Sequence, residues 1–212
     1  AGFVEWLHEN NLVGIVQGSL AFPVQHNPRT TPNGSADGAH LFSRSKGWRI
    51  LGGKSSPWWI GDNEDHVFVF ESQWDAFAFM DKSLWHQSLA SASSILITRG
   101  AQAAKKISGL IPQKSKVYLF TGKWRDDITQ MHPRCHIVST PEEHKDLNDW
   151  VKAGATGKEI MGAVEGATLY ENPDAPRLPG SMDWTDLLAF DPSKDVDNML
   201  GSRWLSKSGS CV

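Results

Sequence analysis

Cysteine is scarce in these 212 residues: there are two, Cys135 and Cys211, far apart and without a CxxC neighbour. That excludes a disulfide framework and a structural zinc site, and it fits a reducing, cytoplasmic setting. Cys135 reads as a buried strand residue. No apolar run approaches the ~18 residues needed to cross a bilayer, so no membrane association is expected. Residues 1–20 lack a basic n-region and contain Glu5, Glu9 and Asn10, so no signal peptide is visible in them. Ala1 in place of Met is expected to mark a chain trimmed upstream. No GxSxG or Cys–His pattern stands out, and one pair among the eight histidines has HxxxH spacing. His132 and His136 lie four apart but straddle Pro133, which argues against one helical face. A GxxxxGK[ST] loop is also missing, so ATP hydrolysis by these residues is not expected.

The net charge is only −3, but it is unevenly spread. From Lys82 to Arg125 there are eight basic residues (Lys82, Arg99, Lys105, Lys106, Lys114, Lys116, Lys123 and Arg125) and no acid. Arg44, Lys46, Arg49 and Lys54 form a second acid-free stretch, whereas Glu171 to Asp197 carries seven acids against Arg177 and Lys194. Such asymmetry makes a basic face for a polyanion, or simply a solvated surface. Of these, Arg44, Arg49, Arg99, Lys105, Lys106, Lys123 and Arg125 are the candidate nucleic-acid contacts. Tryptophan is abundant, with ten residues; most are expected in packing, and some are available to stack on bases.

Periodicity divides the chain at 1–65, 66–168 and 169–212. Residues 1–11 predict one short helix, with Phe3, Trp6 and Leu7 on one face. Residues 12–60 are rich in Gly, Pro, Ser and Asn, and the runs LVGIVQG, SLAFPVQ, AHLFSRS and WRILGG predict a small antiparallel β subdomain. From His66 the pattern changes. VFVFE, SILIT, KVYLF and CHIVS read as buried parallel strands. SQWDAFAFMDKSLWHQSL, AQAAKKISGLI, DLNDWVKAG and TGKEIMGAVEGA read as the helices between and after them, with Gly154 as a stop. The prediction is an α/β domain with a parallel sheet flanked by helices. Residues 171–180 form a proline-rich linker to an acidic tail.

Glu71 ends an apolar strand and precedes a helix, where open α/β sheets bind ligands. Asp75 follows in the first helical turn. Asp146 and Asp149 follow the fourth strand in KDLND. Carboxylates gathered at that edge make a hard-cation site for Mg²⁺ or Mn²⁺, the ions that stabilise attacking and leaving oxygens in phosphoryl transfer. The plainer reading stays open: Glu71 as a strand-end surface acid, and Asp75, Asp146 and Asp149 as helix caps.

FVFESQWDAFAFMDK resembles the first motif of Toprim domains, the α/β fold shared by primases and topoisomerases. HKDLNDWVKAG resembles the Lys-Asp-x-Asn-Asp close of primase-type Toprim domains. The two motifs bracket about half the chain. The β-rich 12–60 region, with AFPV and AHLFSR…WR, is similar to the subdomain that precedes Toprim in phage and plasmid primases. DNMLGSRWLSKSGSCV resembles the approach to the phosphate loop of RecA-like hexameric helicases. The resemblance implies a primase–helicase that acts on single-stranded DNA and nucleotides with Mg²⁺ or Mn²⁺. It makes Glu71 catalytic and metal-linked, Asp75 a catalytic support and Asp146 a metal ligand. Asp149 is a further metal candidate.

One departure bears on the metal site. The family places Asp-x-Asp after the third strand, and here Thr121, Gly122 and Lys123 stand there, with Asp126 and Asp127 the first carboxylates beyond. Either Asp126 or Asp127 reaches the site or the centre is degenerate, leaving a module that binds single-stranded DNA or scaffolds a helicase. A Toprim-type nuclease is a third reading. A self-contained topoisomerase is not expected, because neither Tyr118, inside a strand, nor Tyr170, before the linker, is placed as a nucleophile.

Overall fold

The computed structural model describes residues 2–24, 38–52, 56–99, 110–120, 132 and 134–172, all within one compact unit. The helix expected from AQAAKKISGLI lies outside them except for Leu110 and Ile111. The loop after the third apolar run and the chain from 173 onward also lie outside the described residues.

Helix α1 (Phe3–Glu9) leads into four short strands: β1 (Gly14–Val16), β2 (Ser19–Val24), β3 (Gly38–Ser43) and β4 (Gly47–Leu51). They pair antiparallel in sequence order. Gln17 and Gly18 both take positive φ, 52° and 67°, which matches the right-handed twist of the β1–β2 hairpin. Period-2 alternation puts Phe22, His40, Phe42, Trp48 and Ile50 on one face, because Phe22 pairs with His40, Phe42 with Trp48 and His40 with Ile50. The predicted β subdomain is therefore present.

The larger sheet has six strands: β5 (Trp58–Ile60), β6 (His66–Phe70), β7 (Ser94–Ile97), β8 (Lys116–Phe120), β9 (Arg134–Val138) and β10 (Thr168–Glu171). Their order is β10-β9-β8-β6-β7-β5. The four apolar runs form the parallel centre, and β5 and β10 add antiparallel edges. Neither edge strand was read from the sequence. β5 is three residues long, too short for a periodic signal, and β10 follows the last predicted helix and meets the expected 171–180 linker only at Glu171.

Helices α2 (Gln73–Lys82), α3 (Trp85–Ser88), α4 (Leu147–Lys152) and α5 (Gly157–Glu165) complete the unit. The single helix predicted from Ser72 to Leu89 is broken into α2 and α3 at Leu84, whose φ of 53° is left-handed. Phe68, Phe70, Tyr118 and Phe120 pack with Phe79 of α2 on one side of the sheet, and Phe79 lies 4.7–5.4 Å from three of these rings. Val67, Val69, Leu96, Val117, Leu119 and Cys135 line the other side. Strand residues buried on both faces explain why these runs are continuously apolar. At Gly157 an added Cβ would run into the Lys82 carbonyl, so α5 begins tight against the end of α2. Among the described residues no helix is long and apolar enough to cross a membrane.

Candidate active site

Strand β6 delivers Glu71 to the carboxyl edge of the sheet, one residue past its last paired position. Strand β7 ends beside it. Thr98 donates its N–H to the Phe70 carbonyl at 2.8 Å, and Arg99 donates to the Glu71 carbonyl at 3.0 Å. A cleft of about 690 Å³ opens here, with Glu71, Asp75, Asp146, Lys145 and Arg99 on its walls. His40 and Trp48 of the small sheet line the same cleft.

The carboxylates differ in what they already hold. Glu71 is exposed, and its carboxylate has no hydrogen-bond or ion-pair partner among the described residues. Asp75 is buried, and both its oxygens are engaged. Oδ2 accepts the Ser72 hydroxyl at 2.6 Å, and Oδ1 accepts the Asn148 backbone N–H at 2.9 Å. It therefore ties the start of α2 to the start of α4. Burial raises the Asp75 pKa, the bonds from Ser72 and Asn148 oppose that, and the nearby Asp146 and Glu71 carboxylates push it up again. Asp146 caps α4, its Oδ1 accepting the Asp149 N–H at 2.8 Å. Asp149 takes the Lys145 N–H at 3.3 Å and lies 3.9 Å from His144 Nδ1, and it does not line the cleft.

Two carboxylates, Glu71 and Asp146, thus keep oxygens available. Among the described residues no three His, Cys, Asp or Glu side chains converge closely enough to hold a metal ion. This donor set fits Mg²⁺ or Mn²⁺ in one way: such ions are commonly bound by one or two carboxylates plus substrate phosphates, with no complete protein cage. Asp126 and Asp127 lie outside the described residues, as do Thr121, Gly122 and Lys123.

Arg99 takes φ of 56°, unusual for a side chain with a Cβ. Its Nη2 donates to the Pro23 carbonyl at 2.8 Å, and its guanidinium carbon lies 5.0 Å from the centre of the Trp58 ring. Arg99 is half-buried, and its Nε and Nη1 atoms are enclosed with no hydrogen-bond partner among the described residues. Burial pulls the guanidinium down to about 9. His40 is pulled down to about 4, by burial first and by the charge of Arg99 second, so it is neutral near pH 7.

No protein-family model and no curated protein matches the chain. Its fold is similar to that of the Aquifex aeolicus primase (zinc-binding and RNA polymerase domains), with a TM-score of 0.49 and 12% identity over 79% of this chain and 47% of that one. The RNA polymerase domain of Mycobacterium tuberculosis primase DnaG gives a TM-score of 0.43 at 11% identity, covering 79% of this chain and 63% of that one. The same domain crystallised with a double-stranded DNA oligomer bearing a 6-nucleotide overhang gives 0.43 at 10% identity, covering 78% and 60%. The chain thus spans about half to two thirds of the length of these structures. Such a likeness does not assign an activity.

Of the other predicted nucleic-acid contacts, Arg49 turns to Ser19, its Nη2 donating to Oγ at 3.0 Å. Arg44 is exposed in the β3–β4 turn. Lys105, Lys106, Lys123 and Arg125 lie outside the described residues. Cys135 is buried and free, its thiol pushed up to about 12 by burial, as expected for an inert strand residue. His40, Trp48 and Lys145 are cleft residues that reading the sequence missed. Both His40 and Trp48 stand in the AHLFSR…WR segment that carries the resemblance, but nothing in the periodicity marked either as a cleft residue.

Proposed function

We propose that this chain carries a primase-type Toprim domain that makes primers on single-stranded DNA by metal-dependent nucleotidyl transfer. In the fuller version of this reading it belongs to a phage- or plasmid-type primase–helicase, with a RecA-like helicase domain as partner. The observation that carries the proposal is the meeting of Glu71, from a central parallel strand, with Asp146, 75 residues later, in one cleft beside a cationic Arg99. That is the arrangement phosphoryl transfer needs: oxygen ligands for a hard cation next to a positive group. Bound Mg²⁺ or Mn²⁺ would supply charge stabilisation on the transferred phosphoryl group.

The chain's own groups have separable tasks. Glu71 and Asp146 present oxygens at the cleft wall. Asp75, with both oxygens engaged, positions α4 and hence Asp146. Arg99 supplies positive charge. In the reaction a primer 3′-hydroxyl forms a bond to the α-phosphorus, the α–β bond breaks and pyrophosphate leaves. The test is oligonucleotide synthesis by purified protein with Mn²⁺, single-stranded template and nucleoside triphosphates. Product from wild type that Glu71→Gln reduces by about a hundredfold or more is expected, the scale of removing one transition-state stabiliser. No product from wild type, together with salt-sensitive DNA binding that Glu71→Gln leaves unchanged, would replace this reading with the DNA-binding or scaffolding module.

A further inference from the structure

The amino end of the parallel sheet, at the opposite edge from the cleft, carries a surface of another kind. The pairing registers lay it out. His66 of β6 stands beside Lys116 of β8. One step back from the Val117–Cys135 pair, Lys116 stands beside Arg134 of β9. Arg134 in turn faces Glu171 of β10. The next row on the same face runs Phe68, Tyr118, His136 and Leu169. At about 3.3 Å per residue, His66 lies about 16 Å along the chain from Glu71.

The first row is basic and open. Lys116 and Arg134 are exposed, and His66 is half-buried. The Lys116 ammonium lies 5.4 Å from the centre of the Tyr118 ring. Tyr118 sits between two imidazoles, His66 at 6.2 Å and 13° and His136 at 5.1 Å and 31°. An imidazole has an N–H to donate in either charge state. The His136 pKa is lowered by burial first, and then by Lys116, Arg134 and His66. Like charges placed directly across neighbouring strands destabilise a sheet, and an arriving anion offsets that cost.

The two rows also select the kind of anion. Arg134 already accepts a carboxylate, its Nε lying 3.1 Å from Glu171 Oε1. Glu171 ends the first row with negative charge, which repels a phosphate strand running along it. Leu169, beside His136 in the second row, is 42% exposed. It offers an apolar contact that a phosphate backbone does not use. A peptide with carboxylates next to an apolar side chain has complements to both rows.

We propose that this face docks an acidic segment of a partner protein, with carboxylates on Lys116 and Arg134 and an apolar side chain on Leu169. The cations steer the segment in, and the leucine adds contact that salt does not screen. Docking here leaves the cleft open.

Fluorescence anisotropy with the full chain tests this. The probes are a labelled Leu-Asp-Asp-Leu-Asp-Asp peptide, its counterpart with Asn for Asp, and labelled oligothymidylate of the same charge. The acidic peptide is expected to bind at low salt, and the Asn peptide at least about tenfold more weakly, the scale of two surface ion pairs. Lys116→Glu is expected to weaken the acidic peptide by about fivefold or more, and Lys116→Arg to restore it. Leu169→Ser is expected to weaken it by about threefold or more. Oligothymidylate affinity is expected to be the same in wild type and Lys116→Glu. Leu169 is exposed, so its variant decides the matter if Lys116→Glu fails to fold.

No binding of the acidic peptide, equal binding of the Asn peptide, or unchanged affinity in either variant overturns the proposal. Oligothymidylate binding that Lys116→Glu weakens as much as peptide binding gives the face to nucleic acid and overturns it too. Primer synthesis is expected to be equal in wild type and Lys116→Glu, so this proposal and the nucleotidyl-transfer reading fail separately.

Discussion

The two sheets are built on opposite terms. Every residue of β7 is buried, and Phe70, Phe79, Leu119 and Val69 are fully enclosed. In β4, Trp48, Ile50 and Leu51 are all 40–45% exposed. The large sheet is made to be covered on both faces. The small sheet covers α2 with Phe22 and leaves its outer strand partly open beside the cleft. Exposed large apolar side chains in a cleft are a functional signal in a way that buried ones are not. Strand β6 and the start of α4 supply the carboxylates, and the small sheet supplies an aromatic wall.

The sharpest way to break this contrast is to remove one aromatic ring from each part. Phe79→Ala deletes a ring fully enclosed by Phe68, Phe70 and Phe120 and is expected to cost about 3–5 kcal/mol in urea denaturation. Trp48→Ala removes a larger ring and is expected to cost only about 1 kcal/mol, the scale of its aromatic pair contacts. Equal losses would mean that the small-sheet wall is part of the core.

The next effect falls on the tie between the helices. Asp75→Ala leaves the Asn148 N–H and the Ser72 hydroxyl without their acceptor, and about 1–3 kcal/mol of stability is expected to go with them. Hydrogen exchange should speed at Asn148 while the β6–β8 amides stay protected. Uniform loss of protection would show that Asp75 supports the whole frame, not just the site.

The smallest effect is in pH. His40 titrates at about 4 in the folded chain, below its ordinary 6.5, because of burial first and Arg99 second. The unfolded chain therefore binds the extra proton between those values. Its contribution to stability is full above about pH 6.5 and is lost as pH falls towards 4. Wild type is expected to lose more stability than His40→Gln between pH 7 and pH 5 in matched urea titrations. Parallel losses would place His40 in ordinary solvent.

Much of this arrangement was legible in the residue order. The runs VFVF, SILI, KVYLF and CHIV are mostly apolar without strict alternation, a pattern that suits a strand covered on both faces, and they form the parallel centre. The start of α4 was legible too, because Asp146 has the short acceptor that an N-cap needs. The break at Leu84 was not, since a left-handed leucine has no sequence signature. Nor were β5 and β10, whose strand state is set by pairing with β7 and β9 and not by local preference.

By itself, then, the sequence determined the layering of the domain and the position of Glu71 at a strand end, because burial periodicity and strand termini are local properties. Only the tertiary structure decided what shares the cleft with Glu71. Asp75 meets Asn148 across 73 positions, and Arg99 meets Pro23 across 76. Both contacts bury polar groups, and a buried polar group is stable only where a distant part of the chain delivers its partner. Two guanidinium nitrogens of Arg99 have no such partner among the described residues.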